Sequence, residues 1–329
     1  MRYLLLFVWL PFGLYAQKTV GKIISLDPAF DNLVSVSESL EVVSEGHDWA
    51  EGPVWVKDGG YLLFSDVPKN TIYKLKSAQT TVFLSPSGYT GLLPYSNEPG
   101  SNGLTISADG KYLLACEHGD RRITKMPLAG LGGKITLSDK CNGKRFNSPN
   151  DLCEARNGNI YFTDPPYGLP QYEKDSSRET PVFGVYLIDK NGKTALVVPD
   201  LKRPNGVALS PDDRRLYVAQ SDREAIIMTY PVLPNGKLGK GKVFFDASYL
   251  NKEGLGGAPD GLKVDKKGNV FSSGPGGVLV LSPQGKLLGR IETGQATSNV
   301  AWGEDGSKLF ITADMYVLKL RTKTLGIGF

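Results

Sequence analysis

Short stretches of alternating apolar and polar residues recur along the chain, each introduced by a polar residue, usually Asn or Asp beside Gly. Alternation over about five residues predicts a β-strand with one buried face. A tight turn carrying Asp, Asn or Gly follows each stretch, and a second strand follows the turn. Six copies of this pair begin at Glu51, Asn102, Asn150, Asn205, Asp260 and Asn299. A repeat of about 50 residues built from short strands is typical of a β-propeller.

Two further strand candidates follow each of the earlier pairs, so a repeat supplies the four antiparallel strands of one blade. The sequence therefore predicts an all-β, six-bladed propeller. After Asn299 the chain supplies only three strands. Because a propeller must close to hide its sheet edges, residues 40–44 are predicted to complete the last blade, which makes residues 17–329 a single domain.

The first sixteen residues have the pattern of a secretory signal. Arg2 supplies a positive charge, residues 3–14 are almost wholly apolar, and Ala16 offers a small residue at the cleavage site. The apolar run is about half of the roughly 20 residues that a membrane span needs, although a retained anchor is the alternative. We expect an exported protein, periplasmic or secreted, that begins near Gln17 and has no membrane contact in its mature form.

The amino-acid composition limits which classes of molecule the protein is expected to bind. The chain has 38 basic and 34 acidic residues, a net charge of +4, which gives no electrostatic case for nucleic-acid binding. Its three cysteines, Cys116, Cys141 and Cys153, are spaced unlike a zinc site. Buried thiols are the favoured interpretation, with one disulfide left open. A small-molecule substrate and a monomer or weak dimer are expected.

The longest connections are predicted to gather on one face. If each first strand runs away from its lead residue, residues 85–101, 138–149, 164–181 and 247–259 all return to the face of the lead residues. Long loops around a ring of polar residues describe a binding mouth. The six lead residues bring two carboxylates and four amides to this mouth. Such oxygen donors suit Ca²⁺ or Mg²⁺ better than Zn²⁺ or Cu²⁺, although Asn-Gly and Asp-Gly can also simply mark turns.

Several motifs together resemble the gluconolactonase, regucalcin and luciferin-regenerating-enzyme family, in particular its bacterial gluconolactonase branch. The resemblance covers roughly residues 40–320. The motifs are Glu51-Gly52-Pro53-Val54-Trp55, Ser148-Pro149-Asn150-Asp151, Arg203-Pro204-Asn205-Gly206, Pro259-Asp260-Gly261, Cys116-Glu117-His118-Gly119-Asp120-Arg121-Arg122 and Thr163-Asp164-Pro165-Pro166-Tyr167-Gly168-Leu169.

The resemblance implies one divalent cation in the central channel, usually Ca²⁺, with Mg²⁺, Mn²⁺ or Zn²⁺ as alternatives. It assigns Glu51, Asn205 and Asp260 as ligands, and Asn150 as either a ligand or a substrate contact. Regucalcin-like members carry Arg two residues before that Asn. Ser148 stands there in this chain, which puts sugar recognition by that Arg in doubt.

The implied activity is hydrolysis of a sugar lactone, with water attacking a carbonyl that the cation polarises. Asp260 is the predicted general base. The predicted substrate contacts are Asn102, His118, Asn150, Tyr167 and Arg121. For His118, substrate contact is favoured over proton transfer, whereas His47 is expected to pack at the closing blade.

Two other functions stay open at this stage. One is a propeller hydrolase that cleaves phosphoesters, and the other is a non-catalytic periplasmic binding propeller with a structural ion. A strictosidine-synthase-like enzyme would need a catalytic Glu in a late blade. Glu292 and Glu304 are candidates for that role, but neither occupies a lead position.

Overall fold

The computed structural model describes residues 18–129 and 132–329. The predicted export signal, residues 1–16, lies outside the described residues and stays a prediction. Three strands precede the first blade and serve other blades, as described below. They are β1 (Thr19–Val20), β2 (Lys22–Ser25) and β3 (Leu40–Glu45), with a 3₁₀ turn at Pro28–Asn32 between the last two.

The first two blades are sheets of four strands, ordered from the axis outwards as the chain runs. Blade 1 consists of β4 (Ala50–Val56), β5 (Tyr61–Asp66), β6 (Thr71–Lys76) and β7 (Gln79–Leu84). Blade 2 consists of β8 (Ser101–Ile106), β9 (Tyr112–Glu117), β10 (Arg122–Pro127) and β11 (Ile135–Ser138). A two-stranded ribbon, β12 (Lys140–Cys141) and β13 (Lys144–Arg145), follows on the connection to blade 3.

Blades 3 and 4 repeat the same order of strands. Blade 3 consists of β14 (Leu152–Glu154), β15 (Ile160–Asp164), β16 (Phe183–Ile188) and β17 (Thr194–Leu201), with a 3₁₀ turn at Tyr172–Lys174. Blade 4 consists of β18 (Pro204–Leu209), β19 (Arg215–Gln220), β20 (Ile226–Pro231) and β21 (Lys242–Asp246), followed by the short helix α1 (Ser248–Lys252).

The last two blades take strands from the N-terminal segment. Blade 5 consists of β22 (Leu262–Val264), β23 (Val270–Gly274), β24 (Gly277–Leu281) and β25 (Leu287–Glu292), with β2 added outside β25. Blade 6 consists of β26 (Thr297–Gly303), β27 (Lys308–Ala313) and β28 (Tyr316–Arg321), then β3 and finally β1.

Ring closure is therefore as predicted: β3 pairs antiparallel with β28 and joins the two ends of the chain in one sheet. Innermost strands of successive blades contact one another around the ring, and β26 contacts β4 to close it. The six-bladed propeller is confirmed. The extra outer strands β1 and β2 were not predicted, because two- and four-residue segments carry too little periodicity to be recognised.

Apolar side chains fill the spaces between blades, because each sheet has a neighbour on both faces. All five residues of β24 are buried, and so are all six of β18. One interblade cluster contains Phe271, Trp302 and Ile311. Cys116 and Cys153 lie in strands β9 and β14 as free thiols, and Cys141 is free as well.

Hydroxyl groups on several second strands hold the innermost strand of the next blade. Ser65 Oγ donates to the Asn102 carbonyl at 2.8 Å, and Thr163 Oγ1 donates to the Asn205 carbonyl at 2.6 Å. Because these bonds fix backbone at the lead positions, they set where the lead side chains enter the channel. Within the described residues, no helix has the length and apolar character to cross a membrane.

Candidate functional site

Five of the six lead residues line one cavity in the central channel of the propeller. A cavity of about 290 Å³ opens there, at the lower end of the range of roughly 300–1,000 Å³ for small-molecule sites. Its walls are formed by Trp49, Glu51, Glu98, Asn102, Asn150, Tyr167, Asn205, Ser221, Gly257, Ala258, Asp260, Ala296 and Thr297. The sixth lead residue, Asn299, lies outside this wall and donates to Glu51.

The glycine after a lead residue explains how the strands come so close. A Cβ atom at Gly206 would lie 2.0 Å from the Asp260 carbonyl oxygen, and one at Gly261 would lie 1.8 Å from the Asn299 side chain. The Gly206 amide instead donates to the Asp260 carbonyl at 3.1 Å. The Asn-Gly and Asp-Gly pairs therefore serve close packing around the axis as well as turn formation.

Glu51 is almost completely buried, with 2% of its surface exposed. Its Oε2 accepts hydrogen bonds from the Gly52 amide at 2.6 Å and from Asn299 Nδ2 at 3.1 Å. Burial, with repulsion from Asp151 adding to it, raises the pKa of Glu51 to about 7. Among the described residues Oε1 receives no donor, so this oxygen is free to bind a ligand in the cavity.

Asp260 is the second carboxylate of the cavity and is only partly exposed. Ser273 Oγ accepts its backbone N–H at 2.9 Å, which fixes the start of the blade. Burial, together with the charges of Glu51 and Asp151, raises the pKa of Asp260 well above its ordinary value. Two carboxylates that oppose each other's ionisation are a site where a cation would be favourable.

The two amides of the predicted ligand set have their nitrogen atoms bound from behind. Asn205 Nδ2 donates to Ser221 Oγ at 2.9 Å, and Ser221 Oγ donates onward to the Pro259 carbonyl at 2.6 Å. Asn150 Nδ2 faces His118 Nε2 at 3.4 Å. Because the nitrogens are held this way, the amide oxygens are the atoms left for a ligand.

His118 lies beneath Asn150 and is fully buried. Its Nδ1 faces the Glu98 carbonyl at 3.1 Å, which places the proton on Nδ1 and leaves Nε2 to accept from Asn150. Burial lowers the pKa of His118 to about 4, so the ring is neutral at physiological pH. Gly168 covers it so tightly that a Cβ there would lie 2.4 Å from His118 Cβ. The predicted substrate contact is therefore placed behind the cavity wall.

Arg121 is also placed away from the cavity. Its Nε donates to the Phe146 carbonyl at 2.7 Å and its Nη1 donates to the Ser177 carbonyl at 3.1 Å. Its backbone has a φ of +59°, in the left-handed region. Arg121 therefore connects the two loops that carry Phe146 and Ser177, and like His118 it does not line the cavity.

Ser148, Asp164 and His47 lie outside the cavity wall. Ser148 Oγ donates to the Pro165 carbonyl at 2.6 Å and accepts from the Gly168 amide at 3.0 Å, so it holds the loop that carries Tyr167. Asp164 Oδ2 accepts from the Asn147 amide at 2.8 Å. His47 packs at the closing blade, where its Nε2 lies 2.8 Å from Ser44 Oγ.

Seven residues of the cavity wall were not predicted from the sequence as site residues, among them Glu98, Trp49 and Ser221. Glu98 enters from the connection between β7 and β8, Trp49 precedes β4, and Ser221 follows β19. No Lys, Arg or His of the described chain lines this cavity. The described residues also contain no group of three or more His, Cys, Asp and Glu side chains arranged to hold a metal. A cation here would depend on amide oxygens beside two carboxylates.

Known proteins resemble this chain in sequence and in fold. The family model described as the SMP-30/Gluconolactonase/LRE-like region matches residues 49–314. A gluconolactonase from Zymomonas mobilis is 42% identical over 316 residues, covering 94% of this chain and 88% of that protein. A solved gluconolactonase from Xanthomonas campestris superimposes with a TM-score of 0.78 at 28% identity, covering 94% of this chain and 99% of the other. Regucalcin from Agrobacterium tumefaciens, described as a calcium-binding protein, has a TM-score of 0.68 at 20% identity over 87% and 94% of the chains, a likeness of fold alone.

Proposed function

Because this chain belongs to the SMP-30/Gluconolactonase/LRE-like family, we propose that it is a lactone hydrolase that opens a sugar lactone with the help of one divalent cation, Ca²⁺ being favoured. The observation that carries the proposal is the channel cavity, in which Glu51 and Asp260 stand beside amides whose nitrogens are bound from behind. The similar protein from Zymomonas, named a gluconolactonase, supports the choice of reaction.

The oxygen donors of the cavity fit a hard cation. Glu51 Oε1 and the amide oxygens of Asn150 and Asn205 accept no hydrogen bond from the described chain, and the Asp260 carboxylate completes the set. Two carboxylates with neutral oxygens are the donors that Ca²⁺ prefers. A divalent cation at such a site polarises a carbonyl and lowers the pKa of bound water.

The protein's own groups supply binding and proton transfer. Asp260, partly exposed to the cavity, accepts the proton of the attacking water as general base. Glu51 is too buried for that role and anchors the cation. Asn102, Tyr167 and Trp49 form walls against which the hydroxyl-bearing ring of a sugar lactone can lie. His118 acts through Asn150, which it orients.

Hydrolysis of an aldonolactone by purified protein, with and without a chelator, tests this function. We expect turnover that a chelator abolishes and Ca²⁺ restores, with an unchanged circular dichroism spectrum. Magnesium and manganese additions then rank the cations. Absence of turnover on a panel of lactones, combined with tight binding of a sugar, would replace the proposal with a binding propeller.

Ser221→Ala should weaken cation binding by about 10- to 100-fold, the usual effect of losing a group that orients a ligand. The reason is that Asn205 Nδ2 loses its acceptor at 2.9 Å, so the amide is held less firmly in its orientation. Calorimetric titration with Ca²⁺ measures the change. Ser221→Thr keeps the hydroxyl and serves as the control with near-normal affinity. Equal affinities for wild type and Ser221→Ala would show that Asn205 is not a ligand.

A further inference from the structure

A second cavity, of about 620 Å³, lies among the long connections of the mouth face. The connections 85–101, 138–149 and 164–181 all contribute to its wall, which shares no residue with the wall of the channel cavity. Three arginines line it, and we call it the arginine pocket: Arg121, Arg122 and Arg145. The mechanism proposed above makes no use of this pocket.

Two of the three guanidinium groups have no carboxylate partner among the described residues. Arg122 is paired on both sides, with Glu117 at 2.6 Å and with Asp120 at 3.0 Å. Arg121 and Arg145 donate instead to backbone carbonyls, and neither forms an ion pair within the described chain. Because three arginines and two aspartates line the pocket, its wall carries one positive charge in excess. An anion of single charge would therefore be attracted to it.

Two hydrogen-bond donors on residues of this wall have no acceptor. Arg121 is only 3% exposed, and its Nη2 has no partner among the described residues. The buried hydroxyl of Tyr95 is unpartnered in the same part of the chain. Burial raises the pKa of Tyr95, with the charge of Arg121 opposing the rise, so the phenol keeps its proton and can donate. A buried donor without an acceptor costs free energy that a bound acceptor would recover.

The wall fits a small carboxylate that also carries hydroxyl groups. A planar guanidinium group binds a carboxylate through two parallel hydrogen bonds. An excess of one positive charge suits a carboxylate better than a phosphate group, which carries almost two negative charges at neutral pH. The rings of Tyr89 and Tyr95 stack at 5.0 Å and offer a flat apolar side. Ser177 and Asp139 bring oxygens to the same wall that can accept hydrogen bonds from hydroxyl groups.

We propose that the arginine pocket binds an aldonate, the ring-opened hydroxy acid that hydrolysis of a sugar lactone releases. The choice of this acid rests on the proposed function, because water added across the lactone ester yields one carboxylate, one hydroxyl group and a proton. The carboxylate binds at Arg121 and Arg145, and the hydroxyl-bearing chain lies along the stacked tyrosines. Since the two cavities share no wall residue, aldonate bound here leaves the channel cavity free for the lactone.

Calorimetric titration with D-gluconate at pH 8 tests the proposal. The protein is first freed of cations by a chelator, which is then removed. Without a cation, the carboxylates of Glu51 and Asp260 repel an anion from the channel cavity, so this condition isolates the arginine pocket. We expect one gluconate to bind per chain, and glucose, which has no carboxylate, not to bind. Arg145→Gln should weaken gluconate binding by at least about tenfold, the usual effect of losing a hydrogen bond to a charged group.

Matched variants separate specific contacts from the general effect of charge. Lys144→Gln removes the same charge one residue away, outside the pocket wall, and should bind gluconate with wild-type affinity. Tyr95→Phe removes only the unpartnered hydroxyl and should weaken binding by about 2- to 10-fold. Arg121 is left in place, because its bonds to Phe146 and Ser177 hold two connections together. Unchanged circular dichroism spectra show that the variants are folded.

Several results would overturn the assignment. They are equal gluconate affinity in wild type and Arg145→Gln, an equal loss in Lys144→Gln, or binding of acetate or sulfate as tight as that of gluconate. Tighter binding of glucuronate than of gluconate would assign the pocket to a ring-closed sugar acid instead of the product. Failure of the proposed function is a different result, because the wild-type protein would then open no lactone, whereas failure of this inference leaves lactone opening intact and gluconate unbound.

Discussion

Asp260→Asn is expected to lower kcat on an aldonolactone by about 10³-fold or more at saturating Ca²⁺, while the propeller stays folded. The substitution keeps an oxygen that can still bind a cation but removes the group that accepts the proton of water. Asp260→Ala removes both, so it should in addition weaken calcium binding. Steady-state kinetics at several calcium concentrations separate the two effects.

The structure indicates why this position tolerates the change. The Asp260 backbone is bound on both sides, its N–H donating to Ser273 Oγ at 2.9 Å and its carbonyl accepting from Gly206 at 3.1 Å. Asp222→Asn is a matched control, because Asp222 follows the cavity residue Ser221 but does not line the cavity itself. Turnover by Asp260→Asn close to that of Asp222→Asn would remove Asp260 from the role of base.

The ring of lead residues could be predicted because it follows from the periodicity that builds the fold. Every blade begins with a polar residue at the axis, so finding the repeat also finds Glu51, Asn205 and Asp260. Closure by β3 was equally accessible, since the last repeat lacked one strand and a sheet edge cannot stay open. Position along a strand translates directly into position in space, which is why these predictions hold.

Residues beyond the strand ends follow no such rule. Glu98 lies in a long connection without periodicity, and its place in the cavity depends on hydrogen bonds to the residues after β9. His118 was predicted to contact the substrate, but whether it lines the cavity or lies beneath Asn150 depends on the packing of Gly168. Arg121 donates hydrogen bonds to the Phe146 and Ser177 carbonyls on two other connections, and sequence spacing gives no sign of these contacts.

Glu51→Gln should change the stability of the protein in opposite directions with and without a cation. Above its folded pKa of about 7, Glu51 is a buried carboxylate beside Asp260, and a carboxyl group whose pKa is raised by folding destabilises the folded state at such pH. At pH 8 with chelator, the variant should therefore melt about 2–4 °C higher than wild type, the shift that roughly 1 kcal/mol gives in a large domain.

With Ca²⁺ present, the order should reverse. The variant loses one of two charged ligands, so calcium affinity should fall by at least about 100-fold, and the increase in Tm on adding Ca²⁺ should shrink with it. Differential scanning calorimetry with a calcium titration measures both effects on the same samples. Glu253→Gln, an exposed carboxylate at the end of α1, is the control that should change neither. Two results would show that Glu51 serves the fold and not the cation: a variant that melts below wild type in chelator, or one whose Tm rises as much with Ca²⁺ as that of wild type. A charge held in place for a ligand destabilises the fold when the ligand is absent and stabilises it when the ligand is bound, and only such a charge does both.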